Sequence, residues 1–264
     1  MGVQGIYENG INYTFEEYTK LAKDGKSVIP LTLALTLIKN AQAKHSLASP
    51  SMAGSCPRQK AIENKEDFFY DLDMMRFLVR GVLAHKLFED SPIEGLKERR
   101  VKIDTGDYKL NGCVDLIRVK EQEIVDYKTV QKFAFDFKTG EFKEDFLWKQ
   151  NYLDQINLYA LACAQGGIKE NEGEKIGKVQ ITKGSIEYYC FDVSSGKWNH
   201  SIHFPITEQS IEEARVRFNA HIKKIELCIE DYSKFTYSDC QPWHFFCKDY
   251  CQVSGLCQRL PGGE

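Results

Sequence analysis

The hydrophobic positions of the chain repeat with two different periods, and the first is that of helices. Apolar residues within 72–90 recur every three or four positions, which places them on one face of a helix. Thr14 and Glu17 form a capping box, in which both side chains satisfy backbone N–H groups at a helix start. The pattern predicts a short helix after Thr14, another after Ser55, and helices over about residues 30–43, 72–90, 145–165 and 208–231.

The second period is that of strands. Short runs that are apolar or alternate in polarity follow the fourth helical segment, and Gly106 and the polar residues 120–122 separate the first three of them. The runs predict a meander of three strands over residues 98–104, 108–119 and 123–130, and two later strands over 176–183 and 185–193.

The composition restricts the classes of protein to which the chain can belong. Its 264 residues are enough for a substantial core in one large domain or two small ones. The 35 Lys and Arg nearly balance the 38 Asp and Glu, so any nucleic acid must bind to a local basic patch. No apolar run approaches the ~20 residues of a membrane span, and the first residues do not resemble a secretion signal. We therefore expect a cytoplasmic protein without a membrane partner.

Three charged residues interrupt strands that otherwise have the pattern of buried ones, namely Asp115, Asp126 and Lys128. Asp126 and Lys128 are two positions apart and so share one face of a strand. Asp115, on the neighbouring strand, would bring a second carboxylate alongside. Two close carboxylates repel unless a cation lies between them, and oxygen ligands suit Mg²⁺ or Mn²⁺. The three residues fit a site of metal-assisted phosphodiester hydrolysis, although for D-x-K alone an internal salt bridge is the better interpretation.

Three residues on the predicted helices could complete such a site. Gln155 and Tyr159 are four positions apart and share a helix face, from which they could hold a phosphate or the lysine. Alone, this pair also fits an ordinary amphipathic helix. His85 lies within an apolar helical pattern, where a histidine is more often a hydrogen-bonded boundary residue than a ligand. Next to a carboxylate-bound metal, its ring nitrogen would shift the preference toward manganese.

Taken in order, four short motifs resemble the RecB-type branch of the PD-(D/E)XK nuclease superfamily. The family pattern often has a proline directly before the first aspartate, where this chain has Val114. The resemblance covers roughly residues 50–260. It rests on Gly81-Val-Leu-Ala-His85, Gly112-Cys-Val-Asp115, Asp126-Tyr-Lys128 and Gln155-x-x-x-Tyr159.

The resemblance implies an α/β fold of the restriction-endonuclease-like kind, with a mixed central sheet flanked by helices and a C-terminal metal-cluster segment. It also implies Lys128 as the catalytic lysine. We divide the chain into a helical N-terminal extension, residues 1–45, and a nuclease domain, residues 46–264. The implied metal ligands are His85, Asp115, Asp126 and the backbone carbonyl of Tyr127.

The cysteines suggest a second metal site. Nine are many for a chain without an export signal, because a cytosolic compartment keeps thiols reduced. Cys247, Cys251 and Cys257 lie within one short segment, and a tetrahedral or cubane site needs a fourth thiol. Cys240 could provide it locally, as in a zinc knuckle, and Cys56 could provide it from far away in the sequence. Thiolate-rich sites suit zinc and iron–sulfur clusters alike.

One cysteine before the core and three after it resemble the layout of CRISPR-adaptation nucleases and the AddB nuclease. This resemblance implies a 4Fe–4S cluster on Cys56, Cys247, Cys251 and Cys257. The terminal spacing here is C-x3-C-x5-C, where the usual pattern is C-x2-C-x5-C. The departure leaves structural zinc, and Cys240 as a ligand, open. A bound cluster would close a very long loop and so stabilise the fold.

The residues together lead us to expect an Mg- or Mn-dependent deoxyribonuclease, an exonuclease rather than an endonuclease. Its DNA would be single-stranded or have a free end, and it would act in recombination, repair, phage DNA processing or CRISPR adaptation, alone or with a protein partner. An endonuclease of the same fold, a non-cutting DNA-binding subunit and a zinc-ribbon interaction protein are the alternatives. The cations expected to contact DNA phosphates are Arg58, Lys60, Arg76, Arg80 and Lys149.

Overall fold

The computed structural model describes residues 3–42, 49–130, 135–136, 141–142, 148–171, 174–189, 199–236, 239 and 251–263. It describes the backbone alone for residues 40–42, 73–78, 80, 135–136, 141–142 and 148–149. The chain divides into two units. The first consists of residues 1–47, 55–80 and 222–264, and the second of residues 48–54 and 81–221.

The chain contains both helices and strands, and among the described residues the strands β4 to β8 follow one another without a helix between them. The strands are β1 Val3–Glu8, β2 Ile11–Thr14, β3 Phe68–Asp71, β4 Leu96–Asp104, β5 Lys109–Arg118, β6 Glu123–Thr129, β7 Phe135–Asp136, β8 Glu141–Phe142, β9 Lys183–Tyr189 and β10 Asn199–Pro205. The helices are α1 Phe15–Lys23, α2 Leu31–Gln42, α3 Pro57–Lys65, α4 Leu72–Glu89, α5 Trp148–Gln165, α6 Glu208–Glu230 and α7 Ser254–Arg259. Short 3-10 helices cover Pro50–Gly54 and Tyr232–Lys234.

The first unit contains a three-stranded sheet in the order β2-β1-β3. β1 and β2 form a hairpin around Asn9 and Gly10, which both have positive φ, as a tight two-residue turn requires. β3 then pairs parallel to β1. Ile6 and Tyr18 belong to the core between this sheet and helices α1 and α2. A second core, around Ile62, joins α3 to the C-terminal segment.

The second unit contains a five-stranded mixed sheet in the order β10-β9-β6-β5-β4. Neighbouring strands are antiparallel, except that β6 and β9 are parallel. On one face, Phe88 of α4 packs against Leu116, Val125 and Tyr127, and its ring stacks on that of Tyr127 at 4.2 Å. The opposite face is covered by α5, so helices flank the sheet on both sides.

Most of the elements predicted from the hydrophobic pattern are confirmed. Thr14 and Glu17 form the expected capping box of α1, and α4 and α6 agree with their predicted ranges to within one or two residues. The helix expected after Ser55 begins one position later, with Cys56 at its N-cap. Residues 1–45, expected to be helical, contain strands β1 and β2 as well as two helices, and residues 1–47 form one unit with 55–80 and 222–264.

Of the two late strands, the first was placed wrongly and the second is confirmed in part. Residues 176–182 form no strand, the strand predicted over 185–193 overlaps β9 at residues 185–189, and β10 was missed. Val179 and Ile181 are buried, and the Val179 N–H donates to Cys163 O at the end of α5 (2.9 Å). Alternating burial of a loop packed on the core therefore imitates a strand. β10 contains no buried residue, because it lies at the sheet edge, and so it lacks an apolar signal.

Among the described residues, no helix is long and apolar enough to cross a membrane.

Candidate active site

The acidic pair lies on two neighbouring central strands of the second unit. Leu116 of β5 pairs with Val125 of β6, so Asp115 lies directly across from Asp126. Both side chains are buried. The Tyr127 N–H donates a hydrogen bond to Asp115 Oδ2 (2.7 Å). Burial, followed by the charge of Asp126, raises the pKa of Asp115 to about 7. The structure thus brings together the two carboxylates that the sequence placed on separate strands.

Lys128 lies beside the second carboxylate, two residues along β6. Its Nζ is 2.8 Å from Asp126 Oδ2 and donates a hydrogen bond to Gln155 Oε1 (3.3 Å). It also lies 4.9 Å from the centre of the Tyr152 ring. Burial is the largest influence and lowers the pKa of Lys128, but Asp126, Tyr152 and Asp115 together outweigh it, and the pKa is raised. The raised pKa favours the ammonium form of the side chain, which can orient a water or offset negative charge.

Gln155 connects the lysine to the rest of the site from helix α5. Its Nε2 donates to Asp126 Oδ1 (3.1 Å) and to Tyr159 Oη (3.2 Å), while its Oε1 accepts from Lys128. Both amide hydrogens are therefore used within the protein. Gln155 and Tyr159 share the helix face expected from their spacing, and that face points at the acidic pair.

The first carboxylate is also close to an imidazole and to a third carboxylate. His85 Nδ1 lies 3.2 Å from Glu98 Oε1 and 3.4 Å from Asp115 Oδ1. The hydrogen bond that Glu98 accepts from His85 raises the pKa of His85 despite its partial burial. One ligand atom from each of these three residues lies within 4.8 Å of the others, and no second such group occurs in the described parts of the chain. The group is suited to a metal ion.

Glu98 was missed in the sequence, where it stands in the charged run KERR of β4. Lys97 pairs with Leu116 and Arg99 with Val114, so Glu98 lies across from Asp115. Its φ of 47° is in the left-handed region, which a residue with a side chain rarely adopts. The strand register could have indicated Glu98, but only after the pairing of β4 with β5 was known.

A groove of about 1120 Å³ runs over these residues in the second unit. Gly112 lines it, and a Cβ there would lie 2.7 Å from Tyr159 Cε1 and 3.3 Å from Pro50 Cδ. Glycine is therefore needed for the Tyr159 ring to pack against β5. This requirement accounts for the glycine in the Gly112-Cys-Val-Asp115 motif.

Comparison with known proteins establishes the family of the chain. A model of the PD-(D/E)XK nuclease superfamily matches residues 21–258, nearly the whole length. The chain belongs to the PD-(D/E)XK nuclease superfamily. No curated protein sequence matches this nuclease.

Three solved structures are similar to this PD-(D/E)XK nuclease at low sequence identity. A phage-related exonuclease from Haemophilus somnus 129PT is 13% identical, with 72% of this chain and 97% of that chain covered and a TM-score of 0.45. SSO0001 is 16% identical, with coverage of 87% and 97% and a TM-score of 0.47. An alkaline exonuclease from Laribacter hongkongensis is 12% identical, with coverage of 71% and 91% and a TM-score of 0.40.

The nuclease also contains a group of buried thiols, in its first unit. Cys228, Cys251 and Cys257 belong to one buried cluster. Burial raises the pKa of the Cys228 thiol to about 11, and Arg58 opposes this shift, while Cys56 and Cys257 lie close enough to add to it. Two of the sequence candidates, Cys240 and Cys247, lie outside the described residues.

Arg58 does not have the role expected of it in the nuclease. Its side chain is completely buried, so it is not available to DNA phosphates. Its Nε donates to Cys257 Sγ (3.0 Å), and its two terminal nitrogens donate to backbone carbonyls. The accepting carbonyls belong to Tyr232, Phe235, Cys257, Leu260 and Pro261. All five N–H donors of the guanidinium are directed at the C-terminal segment.

The structure says less about the other cations that are expected to contact DNA. Lys60 is partly buried and pairs with Glu63 on the same helix (2.5 Å), which leaves its contact with DNA a prediction. The side chains of Arg76, Arg80 and Lys149 lie outside the described residues.

Proposed function

We propose that this PD-(D/E)XK nuclease hydrolyses phosphodiester bonds of DNA with the help of Mg²⁺ or Mn²⁺. The observation that carries the proposal is the buried pair Asp115 and Asp126 beside the ammonium of Lys128. An internal salt bridge accounts for Asp126 and Lys128. It does not account for Asp115, which is buried beside a second carboxylate and close to a third, Glu98. A divalent cation would offset this repulsion.

The residues present fit such a cation. Asp126 Oδ2 is buried and lies 2.8 Å from Lys128 Nζ, and no other donor among the described residues reaches it, so it keeps a lone pair for a ligand. We infer that Asp115, Asp126, Glu98 and His85 would hold the metal, together with the Tyr127 carbonyl that directly follows Asp126. Carboxylate oxygens suit magnesium, and the imidazole nitrogen adds affinity for manganese. When bound, the metal would polarise the scissile phosphate and lower the pKa of the attacking water.

The remaining residues of the site would orient the reactants. We propose that the Lys128 ammonium orients the water and offsets the charge that builds on the phosphate. Gln155 holds both Lys128 and Asp126, and because its donors are used, it acts as a positioning residue. Tyr159 supports Gln155 in turn. Polar groups held in advance in this way reduce the reorganisation needed during the reaction.

The finer form of the proposal is an exonuclease of the RecB-type branch that acts on DNA with a free end. The sequence has no G-x-x-x-x-G-K-[ST] motif, so this chain contains no P-loop motor that would unwind a duplex. A recombination or CRISPR-adaptation protein as partner remains part of the same proposal. An endonuclease of the same fold would use the same chemistry and differs in the need for a free end.

The test is degradation of end-labelled linear and closed circular DNA, single- and double-stranded, with Mg²⁺ or Mn²⁺ or with a chelator. We expect metal-dependent loss of the linear substrates, no cutting of the circular ones, and no activity in Asp126→Ala. Asp154→Ala serves as the matched control, because Asp154 is a buried aspartate paired with Arg217 and distinct from the acidic pair. Cutting of circular DNA would show that the protein is an endonuclease and not an exonuclease. DNA binding without cutting would overturn the proposed nuclease activity.

We further propose that the thiols of the first unit hold a structural cluster, 4Fe–4S or, as the alternative, zinc. Cys56, Cys251 and Cys257 are three of the four expected ligands, and all three are buried. The N–H of Arg58 that points at Cys257 Sγ favours a negatively charged sulfur. Such a cluster would stabilise the connection between α3 and the C-terminal segment and would take no part in cutting.

Metal analysis of anaerobically purified protein tests this second site. We expect a brown protein with bound iron and acid-labile sulfide, which Cys257→Ser loses and Cys163→Ser keeps. Cys163 is the matched control, because it is a buried thiol of α5 in the other unit. Zinc without sulfide would favour the alternative, and the absence of both would contradict a metal site.

A further inference from the structure

The floor of the groove consists of two paired strands whose residues change from acidic to basic along their length. Glu98 lies across from Asp115, Arg100 pairs with Cys113, and Lys102 pairs with Asn111. All six residues line the groove. Each step advances two residues, or about 6.8 Å along an antiparallel strand. The exposed cations Arg100 and Lys102 therefore follow the acidic site at one and two steps.

A third cation, Lys169, is held next to Arg100. The Lys169 N–H donates to Arg100 O (2.9 Å), and the Lys102 N–H donates to Gly167 O (2.8 Å). The segment after α5 thus pairs with the outer edge of β4 through an antiparallel bridge between Val101 and Ile168. A Cβ at Gly167 would overlap the Lys102 carbonyl, so glycine permits this approach. Lys169 is exposed and also lines the groove.

These three cations lack acidic partners in the described parts of the chain. Within the described parts of the chain, none of Arg100, Lys102 and Lys169 forms an ion pair. Other arginines of the same unit do, since Arg99 pairs with Glu174 and Arg118 with Glu123. Three unpaired cations in one groove leave a local positive field on a protein whose net charge is −3. Such a field is suited to a polyanion.

We propose that Arg100, Lys102 and Lys169 bind successive phosphates of the DNA strand whose reacting phosphate lies at Asp115 and Asp126. The strand runs along β4, away from the acidic pair. The groove, at about 1120 Å³, exceeds the ~300–1000 Å³ of small-molecule sites, as expected for a polymer. The inference deepens the proposed function and rests on it for the position of the reacting phosphate. These residues replace Arg58 as the phosphate contacts on the described surface.

The test measures binding without cutting. A fluorescein-labelled single-stranded oligodeoxynucleotide is titrated with protein in a chelator, over a series of sodium chloride concentrations, and anisotropy is read. The groove variant combines Arg100→Gln, Lys102→Gln and Lys169→Gln. The control variant combines Lys120→Gln, Lys175→Gln and Lys178→Gln, which are exposed residues of the same unit that do not line the groove. Both variants lower the net charge by the same amount.

We expect the groove variant to reduce the slope of log K against log salt by about 2, because each phosphate contact on a single strand contributes about 0.7. That slope corresponds to an affinity loss of roughly a hundredfold near 0.1 M salt. The control variant keeps the wild-type slope. Lys102→Gln alone reduces the slope by about 0.7 and guards against misfolding of the triple variant, which circular dichroism checks.

The inference would be overturned if the two triple variants lost DNA affinity equally or if the groove variant lost none. It would also be overturned if the wild-type protein did not bind DNA. Its failure is distinguishable from failure of the proposed function, because anisotropy in a chelator does not depend on hydrolysis. Binding through the groove by a protein that never cuts DNA would confirm the three phosphate contacts and overturn the nuclease activity, and with it the position of a reacting phosphate.

Discussion

The carboxyl group of Asp115 is buried across from that of Asp126, and this position raises its pKa to about 7. An unfolded aspartate has a pKa of about 3.9. Between these values the folded protein retains a proton that the unfolded chain has released. The free energy of unfolding of the metal-free protein therefore falls as the pH rises from about 4 to about 7. A bound cation removes this loss, because it stabilises the charged form.

Asp115→Asn should stabilise the protein in a chelator while abolishing cleavage. The amide keeps an oxygen for the Tyr127 N–H and carries no charge to desolvate. We expect the free energy of unfolding to rise by on the order of 2–4 kcal/mol at about pH 8 and by much less at about pH 5. Urea denaturation at the two pH values measures the difference. Asp154→Asn is the control and should lose stability, since it breaks the ion pair with Arg217. An equal effect of Asp115→Asn at both pH values would contradict the repulsion argument.

Gln155 and Tyr159 should differ in their effects on catalysis, although they are hydrogen-bonded to each other. Gln155→Leu releases both Lys128 and Asp126, and we expect a loss of about a hundredfold in kcat from misplacement of the lysine. Tyr159→Phe removes only an acceptor for Gln155, and we expect a loss of less than about tenfold. Initial rates on end-labelled DNA at saturating metal measure both. Equal losses would show that Tyr159 has a direct role.

Besides the apolar core around Ile62, the side chain of Arg58 connects helix α3 to the C-terminal segment. Arg58 makes six hydrogen bonds to residues 232–261, and no carboxylate among the described residues pairs with it. Buried carbonyls that lose a donor are costly, at about 1–3 kcal/mol each where water cannot replace it. The two ends of the first unit therefore depend on this guanidinium.

Arg58→Met should lower the free energy of unfolding by on the order of 3–5 kcal/mol, because it leaves several buried acceptors without donors. Lys60→Met, on the same helix, is the control. Lys60 contacts Glu63 near the surface and should cost at most about 1 kcal/mol. Urea denaturation measures both variants, and DNA binding by folded Arg58→Met should be unchanged. A stable Arg58→Met variant with weakened DNA binding would restore the phosphate-contact role expected from the sequence.

Across the whole molecule, charge is nearly balanced, but opposite charges are collected in one groove. Asp115 and Glu98 line one end, next to the buried Asp126, and Arg100 and Lys102 follow them. The acidic end should bind a divalent ion and the basic part a nucleic acid, so the two ligands neutralise separate parts of the groove. Metal binding should then be measurable without DNA.

Mn²⁺ should raise the melting temperature of the wild-type protein in the absence of DNA. A ligand at a hundred times its Kd adds about 2.7 kcal/mol when it binds the folded state alone. We expect no such rise in the double variant Asp115→Asn/Asp126→Asn, which lacks the central carboxylates. The groove variant of Arg100, Lys102 and Lys169 is the control and should keep the full rise. Differential scanning fluorimetry at about pH 8 measures the three proteins. A rise in the double variant would place the metal elsewhere.

Patterns within a few neighbouring residues were enough to locate most helices and the central strands. The capping box of Thr14, the stop at Gly166 after α5, where φ is 74°, and the spacing of Gln155 and Tyr159 all act over one or two helical turns. Such signals depend on the backbone nearby, so they can be read without knowledge of the fold. Asp115, Asp126 and Lys128 were recognisable for a related reason, because charges within buried strands require partners.

The remaining features depended on residues that are distant in the sequence. Glu98 joined the site only through the register of β4 with β5, and Lys169 through a bridge to the edge of β4. Arg58 looked like a surface cation, yet it is buried because carbonyls some 174–203 positions away surround it. The loop around Val179 alternated like a strand because it packs on α5. Burial and pairing of this kind are properties of the folded chain, since local sequence does not specify which distant surface a segment will meet.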